Sequence, residues 1–253
     1  MNLVSFFQHF FRHQPDEVIS MATFDQTHLT LLALTVLGCA FILNDYYLIF
    51  KQDKFKKILA YTLLAQQAIM YAWYFSAGQY FNLAEALPLY NCRIAIFCAI
   101  IGLLTNNQTA RLITSYWGIF GGVVALIVIN PDQFLFPHWG YVSYFVGHII
   151  LLWTAVYFAK TSPAANLDSL RQIAIITNIF HIIIIGFNYI ANTNYCYLNR
   201  LPLQSVQLNW PTPLYNLVAL LGFNVLLFVV FLVLQQFKPT KLSTQVVFAK
   251  NLN

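Results

Sequence analysis

The sequence predicts an all-α polytopic membrane protein of about seven transmembrane helices. Three observations carry that prediction. The chain is 59% apolar and only 8% charged, whereas a soluble domain is roughly a quarter charged. Seven of its stretches are long and apolar enough to cross a bilayer, which takes about 20 residues. Its lysines and arginines gather in alternate connections, the asymmetry expected of cytoplasmic loops.

In chain order the expected spans are 28–50, 58–78, 88–105, 111–130, 140–160, 170–192 and 213–236. The connections carry helix-ending punctuation: the KQDKFKK cluster, Pro88, the TNNQT loop, Pro131 with Pro137, Pro163, and Pro202 with Pro211 and Pro213. Residues 1–27 read as a Phe-rich, surface-lying segment. They are not a signal peptide, because no basic start leads into an apolar core and a small-residue cleavage site. Residues 28–236 then form the bundle and 237–253 a tail, within one transmembrane domain over 1–253. There is no internal repeat.

Lys51, Lys54, Lys56, Lys57, Arg111, Lys160, Arg171, Lys238, Lys241 and Lys250 fall on one side of this arrangement, and Arg12 and Arg200 on the other. The positive-inside rule therefore places the N-terminus outside and the C-terminus in the cytoplasm. The net charge of +5 reads as topology and not as a nucleic-acid footprint. Cys39, Cys92, Cys98 and Cys196 make neither a C-x-x-C pair nor a disulfide framework.

Ionisable groups at membrane depth are costly, so each is a candidate functional group. Asp45 follows Asn44 at the cytoplasmic end of the first span and reads as a boundary residue. Pro88 is expected in the first turn of the third span, which places Cys92 one turn inside, near the outer surface, with Arg93 next to it. A helix N-terminus favours thiolate, so Cys92 is either a nucleophile or a small packing residue. His148 lies in the outer half of the fifth span, on one face with Tyr141 and Tyr144. A thiol and an imidazole at matching depth are the two parts of a Cys–His nucleophile. His181 shares a polar face of the sixth span with Thr177, Asn178, Asn188 and Asn192. That stripe faces the bundle interior or a wet cavity, either lining a path or holding helices together. Gln66, Gln67, Asn91, Asn216 and Asn224 fit the same two roles.

The sequence has no G-x-S-x-G elbow, no phosphate-binding Gly loop and no H-E-x-x-H. His138, His148 and His181 lack the tight spacing of a zinc site. No cofactor and no metal is implied.

Three segments resemble the YwaF-type bacterial integral membrane proteins, which are similar to eukaryotic transmembrane protein 164. LPLYNC at 87–92 resembles the family's Leu-Pro-Leu-x-x-Cys motif at the start of a helix. YFVGHIILL at 144–152 resembles its histidine helix, and NTNYCYLNRLP at 192–202 its Asn-Tyr-x-Tyr-Leu-x-x-x-Pro loop. The resemblance implies a seven-helix membrane acyltransferase of a bacterial cytoplasmic membrane. Its substrates would be membrane phospholipids, its nucleophile Cys92, and its general base His148. The wider group resembles androgen-induced, Thr/His intramembrane hydrolases of fatty-acid esters, which makes hydrolysis a variant. Tyr90 and Asn91 stand where the family often has His and Leu, so the substrate preference need not match. With the active site towards the outer leaflet, Asn91, Asn194 and Tyr195 are candidate oxyanion donors, and Arg93 and Arg200 candidate phosphate contacts. Tyr144, His181 and Asn188 complete the candidate set. The alternatives are a transporter with a polar path along the sixth helix, and a structural protein in which Cys92 only packs.

Overall fold

The computed structural model describes residues 2–14, 24–129, 134, 136–163, 165–201 and 209–237. The tail beyond Phe237, with Lys238, Lys241 and Lys250, lies outside the described residues, as do Pro131 and Pro202. Among the described residues every regular element is helical. They are α1 (Leu3–Phe10), α2 (Gln26–Leu43), α3 (Gln52–Phe75), α4 (Leu83–Ala86), α5 (Asn91–Thr105), α6 (Gln108–Ile127), α7 (Trp139–Thr161), α8 (Leu167–Ala191) and α9 (Thr212–Leu234).

Among the described residues six segments are long and apolar enough to cross a membrane, namely α2, the run Leu83–Thr105 through α4 and α5, α6, α7, α8 and α9; α3 is not among them. Its 24 residues suffice in length, but Asp53, Lys54, Lys56 and Lys57 occupy its first turns and Gln66 and Gln67 its middle. The basic cluster expected as a loop is thus the start of a helix.

Local chemistry explains the other shifted boundaries. The first span was expected to reach residue 50, yet α2 stops at Leu43. Asp45 turns left-handed at φ 61°, a conformation that Asp tolerates better than most residues. Lys160 of α7 grips the carbonyls of Ile42 and Leu43 and pairs with Asp45 at 2.7 Å. The boundary reading of Asp45 therefore acquires a partner. Residues Tyr46–Phe50 continue as a 3₁₀ turn. Asn107 caps α6 through Ala110 N, which pulls the helix start back to Gln108 and takes Arg111 into the helix. Asn166 and Ser169 form a capping box on α8, and Asn192 ends that helix at φ 50°.

Helix α7 is the most buried span, with core contacts from Phe145 to Phe158. It packs on α2, α3, α5 and α6, while α8 and α9 pair with each other and lean on α6. Gly38 of α2 lets the Trp153 ring of α7 lie on its backbone; an added Cβ would stand 2.1 Å from that ring. Trp153 Nε1 donates to Thr35 O at 3.0 Å. Many large apolar side chains point outwards, among them Leu37, Ile183, Tyr189, Ile190 and Val225. A surface of that kind suits lipid and not water.

Candidate functional site

Helices α3, α5, α6 and α7 enclose a cavity of about 310 Å³. Cys92 and His148 both line it, with Asn91, Arg93, Gln66, Gln67, Ser143 and Tyr144. Phe120 and Gly121 of α6 form one wall, and Cys196 and Tyr197 reach it from the loop after α8.

Cys92 sits in the first turn of α5, not a full turn inside. The helix begins at Asn91, so Pro88 lies outside it. The reason is a separate short helix, α4, which ends before the Leu87–Tyr90 link. Tyr90 provides no side-chain cap, so the first amides of α5 have no intrahelical acceptor. The Cys92 sulfur lies against the amides of Cys92 and Arg93. Gly121 gives it room: a Cβ there would stand 3.7 Å from the Cys92 Cβ.

His148 has one ring nitrogen committed. Its Nδ1 lies 2.7 Å from the Tyr144 carbonyl oxygen, and a carbonyl only accepts. Nδ1 therefore carries the proton. In the neutral ring Nε2 then presents a lone pair. Tyr144 holds this arrangement from both ends, because its hydroxyl donates to Ala125 O at 2.6 Å. Its ring also lies 4.5 Å from the imidazole.

Asn91 is 6% exposed and ties the cavity to α8. His181 Nε2 donates to Asn91 Oδ1 at 3.0 Å, which leaves Asn91 Nδ2 buried without a partner. The amides of α3 form a relay with a fixed direction. Gln66 Nε2 reaches the Ser143 carbonyl at 3.3 Å and Ser143 Oγ at 2.6 Å. Gln66 Oε1 must then accept from Gln67 Nε2, at 2.7 Å. The end of the relay is Gln67 Oε1, a buried acceptor with no partner.

Arg93 lines the same cavity but makes protein contacts. It donates to the carbonyls of Glu85 and Leu87 and to Tyr74 Oη. It also stands over the Tyr74 and Tyr90 rings. It therefore holds the α4 turn against α3.

The other expected groups lie elsewhere. Asn188 closes the loop after α8, accepting from Tyr195 N and Thr193 Oγ1 and donating to Tyr195 O. Asn194 Oδ1 accepts the amides of Asn199 and Arg200. Tyr195 is fully buried; its hydroxyl donates to Leu83 O and accepts from Leu87 N. Arg200 is exposed and does not line the cavity. The polar stripe of α8 is spent on pairs: Thr177 with Trp117 Nε1, Asn178 with Asn224, and His181 with Asn91.

Sequence reasoning missed Ser143 and Cys196 as cavity residues. Cys196 sits in the NTNYCYLNRLP segment, left-handed at φ 57°, and its thiol donates to Leu89 O. Among the described residues no group of three His, Cys, Asp or Glu could hold a metal ion.

Fold and cavity together define an α-helical integral membrane protein with an internal chamber holding a thiol, an imidazole and unpaired amide groups. The chain belongs to the TMEM164 family, whose sequence pattern it matches over residues 23–235. No curated protein and no solved structure matches it.

Proposed function

We propose that the protein is an intramembrane acyltransferase that moves a fatty acyl chain from a membrane phospholipid through a Cys92 thioester. The observation that carries this reading is that Cys92 and His148 line one cavity, with the His148 tautomer such that Nε2 is the basic atom. His148 Nε2 takes the thiol proton. The thiolate attacks the ester carbonyl, and the negative charge collects on the carbonyl oxygen. Asn91 Nδ2, buried without a partner on the same cavity, is the candidate donor for that oxyanion, with the backbone amides at the start of α5 beside it. The tetrahedral centre collapses, the C–O bond breaks, and the lyso-lipid leaves with the proton from His148. An acceptor alcohol or amine then gives its proton to His148 and attacks the thioester, releasing Cys92.

Water as acceptor makes the same site a hydrolase. The expected orientation opens the chamber to the outer leaflet of a bacterial cytoplasmic membrane. Arg93 and Arg200 as headgroup contacts belong to the same proposal. The transporter reading has less support, because the α8 stripe is consumed by pairs between helices.

The test is mass spectrometry of the purified protein after incubation with phospholipid. A hydroxylamine-labile acyl mass on Cys92, absent in Cys92→Ala and His148→Ala, is the expected result. A folded wild type with no adduct and no lyso-lipid released would overturn the reading.

A further inference from the structure

A second cavity, of about 200 Å³, lies at the opposite end of the bundle between the start of α6, the end of α7 and the start of α8. Arg111 lines it and is only 8% exposed. Its Nε donates to Ser162 Oγ at 3.1 Å, Nη2 to Thr161 Oγ1 at 2.9 Å, and Nη1 reaches Asn106 Oδ1 at 3.5 Å. The Phe158 ring faces the guanidinium at 4.6 Å. Every one of these contacts is neutral. Among the described residues no carboxylate pairs with Arg111; Asp45 is held by Lys160 and Asp53 by Lys56. Asp168, in the first turn of α8, is exposed and does not line the cavity.

A guanidinium is always charged and has five N–H donors and no acceptor. A buried charge without a counter-charge is costly. Three of the five donors are engaged here, so two remain. Ser162 Oγ accepts from Arg111 and so keeps its own proton to donate. The helix starts of α6 and α8 both open on the cavity through Gln108 and Ser169. The C-terminal end of α7 borders the same cavity and offsets their dipoles, so the guanidinium supplies the positive charge.

We infer that this cavity is an anion site that takes a phosphate group, held by Arg111 and Ser162. The inference does not depend on the Cys92 chemistry. The phosphate belongs either to the headgroup of a lipid in the adjoining leaflet or to free phosphate, and the two sources are separable.

The experiment is thermal unfolding of the full chain in detergent, with inorganic phosphate, short-chain phosphatidic acid or short-chain diacylglycerol added. A ligand that binds only the folded state raises Tm with its concentration. The expected result is a rise with phosphatidic acid and none with diacylglycerol. A rise with inorganic phosphate as well assigns the site to the free ion. Arg111→Gln abolishes the rise. Ser162→Ala, which leaves the guanidinium in place if Arg111→Gln does not fold, weakens it about tenfold through loss of one charge-assisted hydrogen bond. Lys57→Gln, outside the cavity, leaves it unchanged. No rise with either phosphate source, or an undiminished rise in both cavity variants, overturns the inference.

Discussion

Replacing Asn91 with Leu removes the unpartnered Nδ2 from the Cys92 chamber while keeping nearly the same volume. Oxyanion donors that have been deleted one at a time in other enzymes cost about 10²–10³ in rate, or roughly 2.7–4 kcal/mol. We expect a loss of that size in the rate at which Cys92 is acylated. His181 acts on the same step at one remove. Its Nε2–H fixes the Asn91 amide through a 3.0 Å bond, and a bond of that kind is worth about 1 kcal/mol net. His181→Ala should therefore slow acylation by no more than about tenfold. The decisive variant is the double one. With Asn91 already Leu there is no amide left to orient, so Asn91→Leu/His181→Ala should match Asn91→Leu alone. Two independent effects would multiply to about 10³–10⁴ instead. The assay is the single-turnover rise of the acyl mass on Cys92, measured on variants whose thermal unfolding shows a folded state. Asn91→Leu also strands the His181 N–H, at a stability cost of about 1–3 kcal/mol, so the temperature is set below its transition. An acylation rate in Asn91→Leu within twofold of wild type, or multiplying effects in the pair, would refute the oxyanion reasoning.

Gln67→Leu removes the terminal acceptor of the Gln66–Gln67 relay; Cys92 should still acylate, while transfer to an alcohol acceptor slows about tenfold, as product analysis will show. Gly121→Leu should fill the chamber beside Cys92 and block acylation, with the thermal transition shifted only slightly because a cavity accepts the side chain. Gly38→Ala drives a Cβ into the Trp153 ring and should cost about 1–3 kcal/mol in unfolding free energy. Lys160→Met frees the α2 carbonyls and Asp45, and should cost about 2 kcal/mol by the same measurement.

The helices were legible because lipid imposes one rule along the whole chain, and every expected span overlaps a helix, although α3 is too polar to count as a span and α2 stops seven residues short of residue 50. The misplaced boundaries share one cause. Asn107 and Asn166 act through local polar bonds, and Asp45 through its pair with Lys160, all of which hydropathy averages away. In each case the residue type was visible, as Asn-Asp, TNNQT and the Asn-x-x-Ser pair. The chamber was half legible. Cys92 and His148 stand out as reactive types in apolar runs, and both line the chamber. Nothing in the sequence says that Asn188, Asn194 and Tyr195 close a loop instead of facing substrate. That distinction depends on how the chain folds back after α8. Ser143 and Cys196 were hidden for the opposite reason: each is a small residue of ordinary type, placed in the chamber only by the packing of α7 and by a left-handed turn.

Arg111 shows how far a polar residue can mislead when read as topology. Counted as a loop charge it supports the orientation, yet it is buried on α6 beside a second cavity. Ten residues along the same helix lies Gly121, on the wall of the Cys92 chamber, about 15 Å away at 1.5 Å per residue. If the two cavities joined, the molecule would hold a polar route across the bundle, and a transport function would gain weight. The α6 residues between them argue otherwise. Thr114 and Trp117 are buried to within 1%. Thr114 donates to Ala110 O and Trp117 to Thr177 Oγ1, and the next residue, Gly118, lies against Leu151 and Ala155 of α7, both fully buried. A plug of that density, with its polar atoms already paired, leaves two blind chambers. One, at the Cys92 end, has the groups for covalent chemistry, and the other has the charge to hold a phosphate. This arrangement favours an enzyme whose bundle is gripped at one end and reacts at the other. Opening the plug with Trp117→Ala should then destabilise the fold by about 3–5 kcal/mol without creating solute flux in liposomes. Flux through that variant, or through the wild type, would turn the argument towards transport.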